Sequence, residues 1–417
     1  MLKGSGLVAF LLKAGLASLK GSRRYYAWMV FLFVLFLFGL NAYSKQLVRG
    51  LYITGMSEQV TWGLYISNFT FLVGMAASAV MLVIPVYIYE NHDLHDVVIF
   101  GELFAIATIV MCLLFVIFDL GRPDRFWHLL PPVGILNWPA SMLSWDVIVL
   151  TVYLLLNVTI AFYLLYMRYS NREPNKAFYR PLVFLSIVWA ISIHTVTAFL
   201  LVGLSARPFW NSAVLAARFI ASAFTGGLAF MAIVFQMIRA RTGFTIGDAT
   251  LKIMRRIIQV TLLINMFLLA AELFKEFYSE QGQFTSAHFL FFGLKGHSGL
   301  VPWIWTAVGL NTAATVLLVT PVSRNLRVFN VASVFLLIGI WIEKGMGLII
   351  PGFIPTPLGE VVDYAPTLEE SLVTVGIWAF GFLLYTLFLK VAVPILQGTL
   401  SAPRTNLAPA GNPREHE

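Results

Sequence analysis

The chain has 417 residues, 59% of them hydrophobic and 12% charged, with a mean hydropathy of +0.83. Soluble globular domains carry about 25% charged residues, so that class is excluded, and apolar runs longer than about 18 residues recur along the whole length, predicting an all-α polytopic membrane protein. The single Cys112 leaves no disulfide framework, iron–sulfur motif or c-type haem attachment, and a net charge of +8 reports orientation in a bilayer rather than nucleic-acid binding.

In chain order, residues 1–24 do not read as a signal peptide, because Lys13 interrupts the apolar core. Lys13 and Lys20 share one helix face with Leu and Phe opposite, which predicts an amphipathic segment lying at the membrane surface. Ten spans follow, at 26–47, 62–89, 97–118, 141–167, 180–204, 210–237, 257–279, 300–320, 328–350 and 370–397. The tail at 398–417 is rich in Pro, Ala and Asn and is expected to be disordered.

Ten spans put both termini on one side. Lys3, Lys13, Lys20, Arg23 and Arg24 lie there, as do Arg168, Arg172, Lys176, Arg180, Arg239, Arg241, Lys252, Arg255, Arg256, Arg324, Arg327, Lys390, Arg404 and Arg414. The opposite loops hold only Lys45, Arg49, Arg122, Arg125, Arg207 and Lys295. The positive-inside rule therefore assigns both termini to the cytoplasm, against one acidic loop at 90–96. The long loops at 119–140, 280–299 and 351–369 then face a periplasm.

Ionisable side chains at membrane depth are costly and mark functional candidates. Counting about 1.5 Å per residue along each span, Tyr65 and Asn68 fall in the outer turns of the second span. Asp119 and Arg122 lie one turn apart at the outer end of the third. Asp146 sits a turn or two into the fourth, after Trp145, and His194 and Arg218 are in the outer halves of the fifth and sixth. Glu272 and Lys275 form an i,i+3 pair near the outer end of the seventh. Glu343 and Lys344, being adjacent, point to different faces of the ninth and need separate partners. Glu102 alone lies toward the inner face.

His194 is the one histidine within a span, so facing pairs of haem ligands are lacking, and a metal site fails by the same count. This outer cluster suits a quinone head group, whose carbonyl oxygens need donors and whose reduction needs protons. It also suits a secondary transporter of an ion or small anion. Transporters break helices near mid-membrane, and Gly226–Gly227 is the only such hint. A bare anchor for peripheral redox subunits leaves Asp146 and His194 without a purpose.

Several stretches carry a resemblance: WGLYISNFTFLVGMAASAVML (62–82), DLGRPDRFWHLL (119–130) with SMLSWD (141–146), SIHTVTAF (192–199), ARFIASAF (217–224), the GHSGLVPWIW region (296–305) and WIEKGMGL (341–348). Together they resemble the NrfD/PsrC family of quinone-interacting membrane subunits, along nearly the whole chain. The ten-span form is similar to the membrane subunits of sulfate reducers. The menaquinone reductase (Qrc) type comes first and the sulfite-reduction-associated (Dsr) type, which would oxidise menaquinol, second.

The resemblance implies a cytoplasmic segment at 1–24, a flanking helix and periplasmic loop at 25–60, and a first four-helix bundle with the quinone site at 61–206. A second bundle spans 207–352, then a periplasmic loop and last helix 353–397. It implies an inner-membrane protein acting on menaquinone, with no haem, iron–sulfur cluster or metal of its own. Its partners would be a periplasmic ferredoxin-like iron–sulfur subunit, a multihaem cytochrome c and a molybdopterin-oxidoreductase-like protein. By the same resemblance His194 and Tyr65 would meet the quinone oxygens, with Asp146 as proton partner and Asn68, Asp119, Arg122 and Trp145 around the ring. Glu102 would stand on a proton path from the cytoplasm. Arg218, Glu272, Lys275, Glu343 and Lys344 would form a second charged path or a structural network.

Overall fold

A membrane interior offers no water to backbone N–H and C=O groups, so an apolar run crosses it as a helix. A computed structural model describes residues 4–95, 97–279 and 284–403. It contains α1 (Gly4–Leu19), α2 (Arg23–Arg49), α3 (Leu64–Ala77), α4 (Val80–Tyr87), α5 (His92–His95), α6 (Val98–Asp119), α7 (Met142–Tyr169) and α8 (Lys176–Val202). These are followed by α9 (Leu215–Thr242), α10 (Asp248–Ser279), α11 (Phe284–Phe292), α12 (Val301–Val319), α13 (Leu326–Lys344), α14 (Met346–Ile349) and α15 (Leu368–Leu396). Among the described residues ten helical segments are long and apolar enough to cross a membrane, α3–α4 and α13–α14 each counting as one. Of the expected disordered tail, residues 404–417 lie outside the described residues.

Polar residues set several of the starts. Ser22, Asn175, Asn325 and Thr367 each accept a backbone N–H from the first turn that follows, satisfying a donor the helix itself cannot pair. The seventh span begins earlier than the expected residue 257. It starts at Asp248 and carries Lys252, Arg255 and Arg256 in regular helix, because long basic stems reach headgroup level without leaving the helix.

The packing closes two rings. Helices α3, α6, α7 and α8 pack in sequence around the first bundle, and α9, α10, α12 and α13 around the second. The bundles meet where α3 and α8 lie on α9 and where α13 touches α3. The first and last spanning helices lie together: α2 pairs with α15, and α15 rests on α6 and α3. That pair crosses closely, since a Cβ on Gly39 would lie 2.5 Å from the Cα of Gly376, the small-residue contact membrane helices use. At the face away from the termini, Trp62 stacks on Trp210 at 5.7 Å, and Phe353 meets both rings edge-on. The indole of Trp210 donates to the Leu348 carbonyl at 2.8 Å, fixing the join between bundles. On the opposite side α1 buries Phe10 among Phe162, Tyr166 and Tyr169 and leaves Leu11, Leu12 and Leu16 outward.

Gly226 and Gly227 do not interrupt their helix. α9 runs unbroken through both, and they serve close approach: a Cβ on Gly227 would sit 1.8 Å from the Ser78 hydroxyl. The interruptions lie elsewhere. The second span breaks at Ser78–Ala79, where the Ser78 hydroxyl takes the Met75 carbonyl at 2.6 Å and the Tyr153 phenol the Ala76 carbonyl at 3.4 Å. The ninth breaks at Gly345, beside Ser67 of α3. A freed carbonyl in a membrane must find another donor, and side chains supply it at the first break.

Candidate functional site

Most of the expected site residues fall in three neighbouring clusters. The outermost gathers around Glu370, which is fully buried in the first turn of α15. Its Oε1 accepts the Leu64 N–H at 3.0 Å and the Tyr364 hydroxyl at 2.5 Å, while Oε2 accepts the Gly55 N–H at 2.9 Å. A carboxylate at the start of α3 meets the unpaired donors and positive dipole of that helix. Burial, with Glu370 beside it, pushes the Tyr364 phenol above its ordinary pKa, so it remains a donor. Tyr65 lies just inside, its hydroxyl donating to the side-chain carbonyl of Gln46 at 2.7 Å. Asp119 ends α6 nearby, with Oδ1 buried and unpartnered.

Arg122 is not one turn above Asp119. The helix stops at Asp119, Leu120 is extended, and Gly121 and Pro123 carry the chain out of register. Arg122 is exposed and grips Asp124 through Nε and Nη2 at 2.9 and 2.8 Å, which holds the Asp124 carboxyl below its usual pKa. Trp145 lies at the same rim, its indole on the Pro139 carbonyl at 2.9 Å. The segment between presents Phe126, Trp127, Leu130, Val133, Ile135 and Trp138 outward.

Asn68 connects this cluster to the bundle interior. Its Oδ1 accepts both the Trp341 and Trp378 indole N–H groups, at 3.0 and 2.8 Å, and its Nδ2 donates to the Leu64 carbonyl at 2.7 Å. Asp146, buried on α7, accepts the Thr197 hydroxyl at 2.8 Å. Thr197 is one turn beyond His194 on the buried stripe of α8, so the acid and the imidazole flank one helix turn without touching.

The third cluster fills the second bundle with one polar side chain from each of its four helices. Arg218 of α9 reaches Glu272 of α10 through Nη1 and Glu343 of α13 through Nη2, the latter at 2.9 Å. Asn311 of α12 donates to the other Glu343 oxygen at 2.9 Å. Glu272 therefore turns to Arg218, while Lys275, one turn on, is exposed. Glu343 and Lys344 come closer than adjacent helical residues pointing apart: the Lys344 Nζ is 4.0 Å from Glu343 Oε1, because α13 ends there.

Lys344 and His194 then meet between the bundles. They line a cavity of about 10 Å³ with Thr70 and Gly74 of α3, Phe219 of α9 and Ile340 of α13, a space of about one water. His194 is 3% exposed and both ring nitrogens lack hydrogen-bond partners; the Phe219 backbone approaches but falls short of bonding geometry. The Lys344 Nζ is equally buried and makes no hydrogen bond, standing 4.8 Å from the centre of the Phe219 ring. The imidazole stands 5.1 Å from the same ring, tilted at 42° to it. Gly74 makes the room, since a Cβ there would lie 3.1 Å from His194 Cε1. Buried polar atoms are normally hydrogen-bonded, and here two nitrogen-bearing side chains without hydrogen bonds at those nitrogens line one void.

Glu102 stands apart, 2% exposed on α6 with Oε2 unpartnered and Tyr87 and Tyr153 nearby. The sequence reading passed over Gln46, Glu370, Tyr364, Asn311 and Thr197. Glu370 had a signal in the Thr367-x-x-Glu370 start of α15, a helix-capping pattern. Asn311 had one as a lone amide in an apolar run. Among the described residues no three His, Cys, Asp or Glu side chains stand together as a metal set.

Comparison with known proteins adds an independent observation. The sequence profile of the family described as "Polysulphide reductase, NrfD" matches residues 52–356. The chain is 26% identical over 398 residues to a putative dimethyl sulfoxide reductase membrane protein of Halobacterium salinarum, covering 86% of this chain and 88% of that one. It is 22% identical over 390 residues to the Hdr-like menaquinol oxidoreductase integral membrane subunit of Archaeoglobus fulgidus, covering 89% and 93%. A shorter match, 27% over 104 residues and 25% of each chain, is to the menaquinone reductase integral membrane subunit of Nitratidesulfovibrio vulgaris.

Proposed function

Since the chain belongs to the NrfD family of polysulphide-reductase membrane proteins, we propose that it is the quinone-reactive membrane subunit of a multisubunit oxidoreductase, with the quinone ring received between the bundles at His194 and Lys344. One observation carries this reading: two buried nitrogen groups without hydrogen bonds, from different bundles, line one void. A quinone takes two electrons and two protons to become a quinol, and its two oxygens need a donor each as charge builds on them. His194 and Lys344 supply donors of that kind. The void admits about one water, so a ring enters only as the Phe219 and Lys344 side chains give way. Asp146, through Thr197, would reload the imidazole with protons; the Arg218–Glu272–Glu343 network keeps balancing charge beside Lys344. Tyr65, Asn68, Asp119 and Trp145 then build the outer wall rather than touch the ring, and Arg122 belongs to the surface.

The relatives named for menaquinol and menaquinone support menaquinone as the substrate class. The surplus of basic residues on the side of the termini supports cytoplasmic termini in an inner membrane. The electron partner, an iron–sulfur protein, would then dock outside, over the apolar 126–138 segment; a cytochrome and a molybdopterin protein would lie beyond it. In the purified complex, His194→Ala and Lys344→Gln should each lower quinone-linked turnover about 100-fold or more, the scale of a lost proton donor. Reaction of the partner subunits with a water-soluble acceptor should be unchanged. Full quinone activity in His194→Ala would sink the assignment.

A transporter is the second reading, favoured by the two broken spans that flank the same cavity. Solute uptake by the chain alone in liposomes, without redox partners, would establish it instead.

A further inference from the structure

On the face that carries the termini, α10 and the turn after α12 enclose a second, open cavity of about 690 Å³. Its wall holds Lys252, Arg255, Arg256 and Arg324, and no acidic side chain pairs with any of the four among the described residues. Like charges gathered without counter-charge repel one another, so the arrangement is completed by an anion. Arg255 is its fixed member. Its Nη1 donates to the Ser323 carbonyl at 3.0 Å, which orients the guanidinium, and its Nε is buried without a partner. Gln259 ties the same turn through the Leu318 carbonyl, so these helix-end carbonyls are already engaged and do not oppose an anion.

The cavity continues into an apolar surface. On α10, Val260, Leu263 and Ile264 are exposed one turn further into the membrane, and on the adjoining α12 so are Val316 and Val319. We propose that this cavity holds the phosphate of an anionic phospholipid, its acyl chains lying along the exposed residues of α10 and α12. Arg255, Arg256, Lys252 and Arg324 would share the phosphate oxygens, guanidinium forks matching that geometry. Basic pockets between membrane helices recognise anionic headgroups by this chemistry. The apolar continuation distinguishes a lipid from free phosphate, which has no use for it.

The test uses the full chain purified in a zwitterionic detergent. Phosphatidylglycerol in mixed micelles should raise its melting temperature in a concentration-dependent way, and phosphatidylcholine should not. The triple variant Lys252→Ala, Arg256→Ala, Arg324→Ala should lose that response and copurify at least threefold less anionic lipid. Arg324→Gln alone, at an exposed side chain with no structural bond to lose, should weaken the response in the same direction. An equal response in wild type and both variants would overturn the proposal. So would equal stabilisation by millimolar inorganic phosphate, which would make the ligand a soluble anion.

Discussion

Arg218 is the residue on which the second bundle's interior charge depends. Among the described residues it alone bonds both Glu272 and Glu343, and removing one partner of a buried ion pair leaves an uncompensated charge, at a cost of about 3–5 kcal/mol. Arg218→Met should therefore lower the melting temperature sharply in detergent, whereas Arg218→Met with Glu272→Gln and Glu343→Gln should recover much of it. A triple variant no more stable than the single one would refute this electrostatic account. The sequence made Arg218, Glu272 and Glu343 visible as intramembrane charges but not who pairs with whom. Lys275 stood at the spacing of a helix-surface pair with Glu272, and only the packing of α9 against α10 turned Glu272 inward. The adjacency of Glu343 and Lys344 argued for separate directions; that holds in a continuous helix, and Gly345 ends this one.

Among the elements, α9 is the spine: α3, α8, α10 and α13 all lie against it. Its Gly227 admits the broken second span, because a Cβ there would lie 1.8 and 2.2 Å from the Ser78 side chain and 3.3 Å from the Met75 carbonyl. Gly227→Ala should force α3 and α9 apart, with a loss of about 1–3 kcal/mol, the usual range for overpacking. Ser78→Ala should not rescue it, since the Ser78 Cβ is itself in the way, whereas Ser78→Gly should in part. Thermal unfolding of the two double variants distinguishes the outcomes, and equal rescue would show that the break is not held by this contact. The ten spans were legible because apolar length is a direct reading of bilayer thickness. The breaks were not, because a glycine pair looks the same whether it bends a helix or lets another approach. The DLGRP block was legible as an outer feature, but its buried part reduces to Asp119, since the helix stops there.

At the scale of the molecule, polar groups run from Glu102 near the terminal side to His194, Lys344 and the outer cluster. If electrons enter from outside and protons from inside, turnover moves charge across the bilayer. In vesicles, Glu102→Gln should abolish the quinone-dependent membrane potential that the wild-type protein supports. An unchanged voltage would exclude this route. The two-bundle plan was open to the resemblance, yet the pairing of first and last helices was not, because nothing in either sequence run marks its neighbour.

Glu370 has a consequence for how the protein is made. The carboxylate that caps α3 lies some 300 residues further along the chain, on α15, so it is synthesised long after the helix it caps. Until then the first bundle waits in the membrane with its outer edge open, and α2 waits for its companion. The outer rim is therefore complete only once α15 has packed against α3.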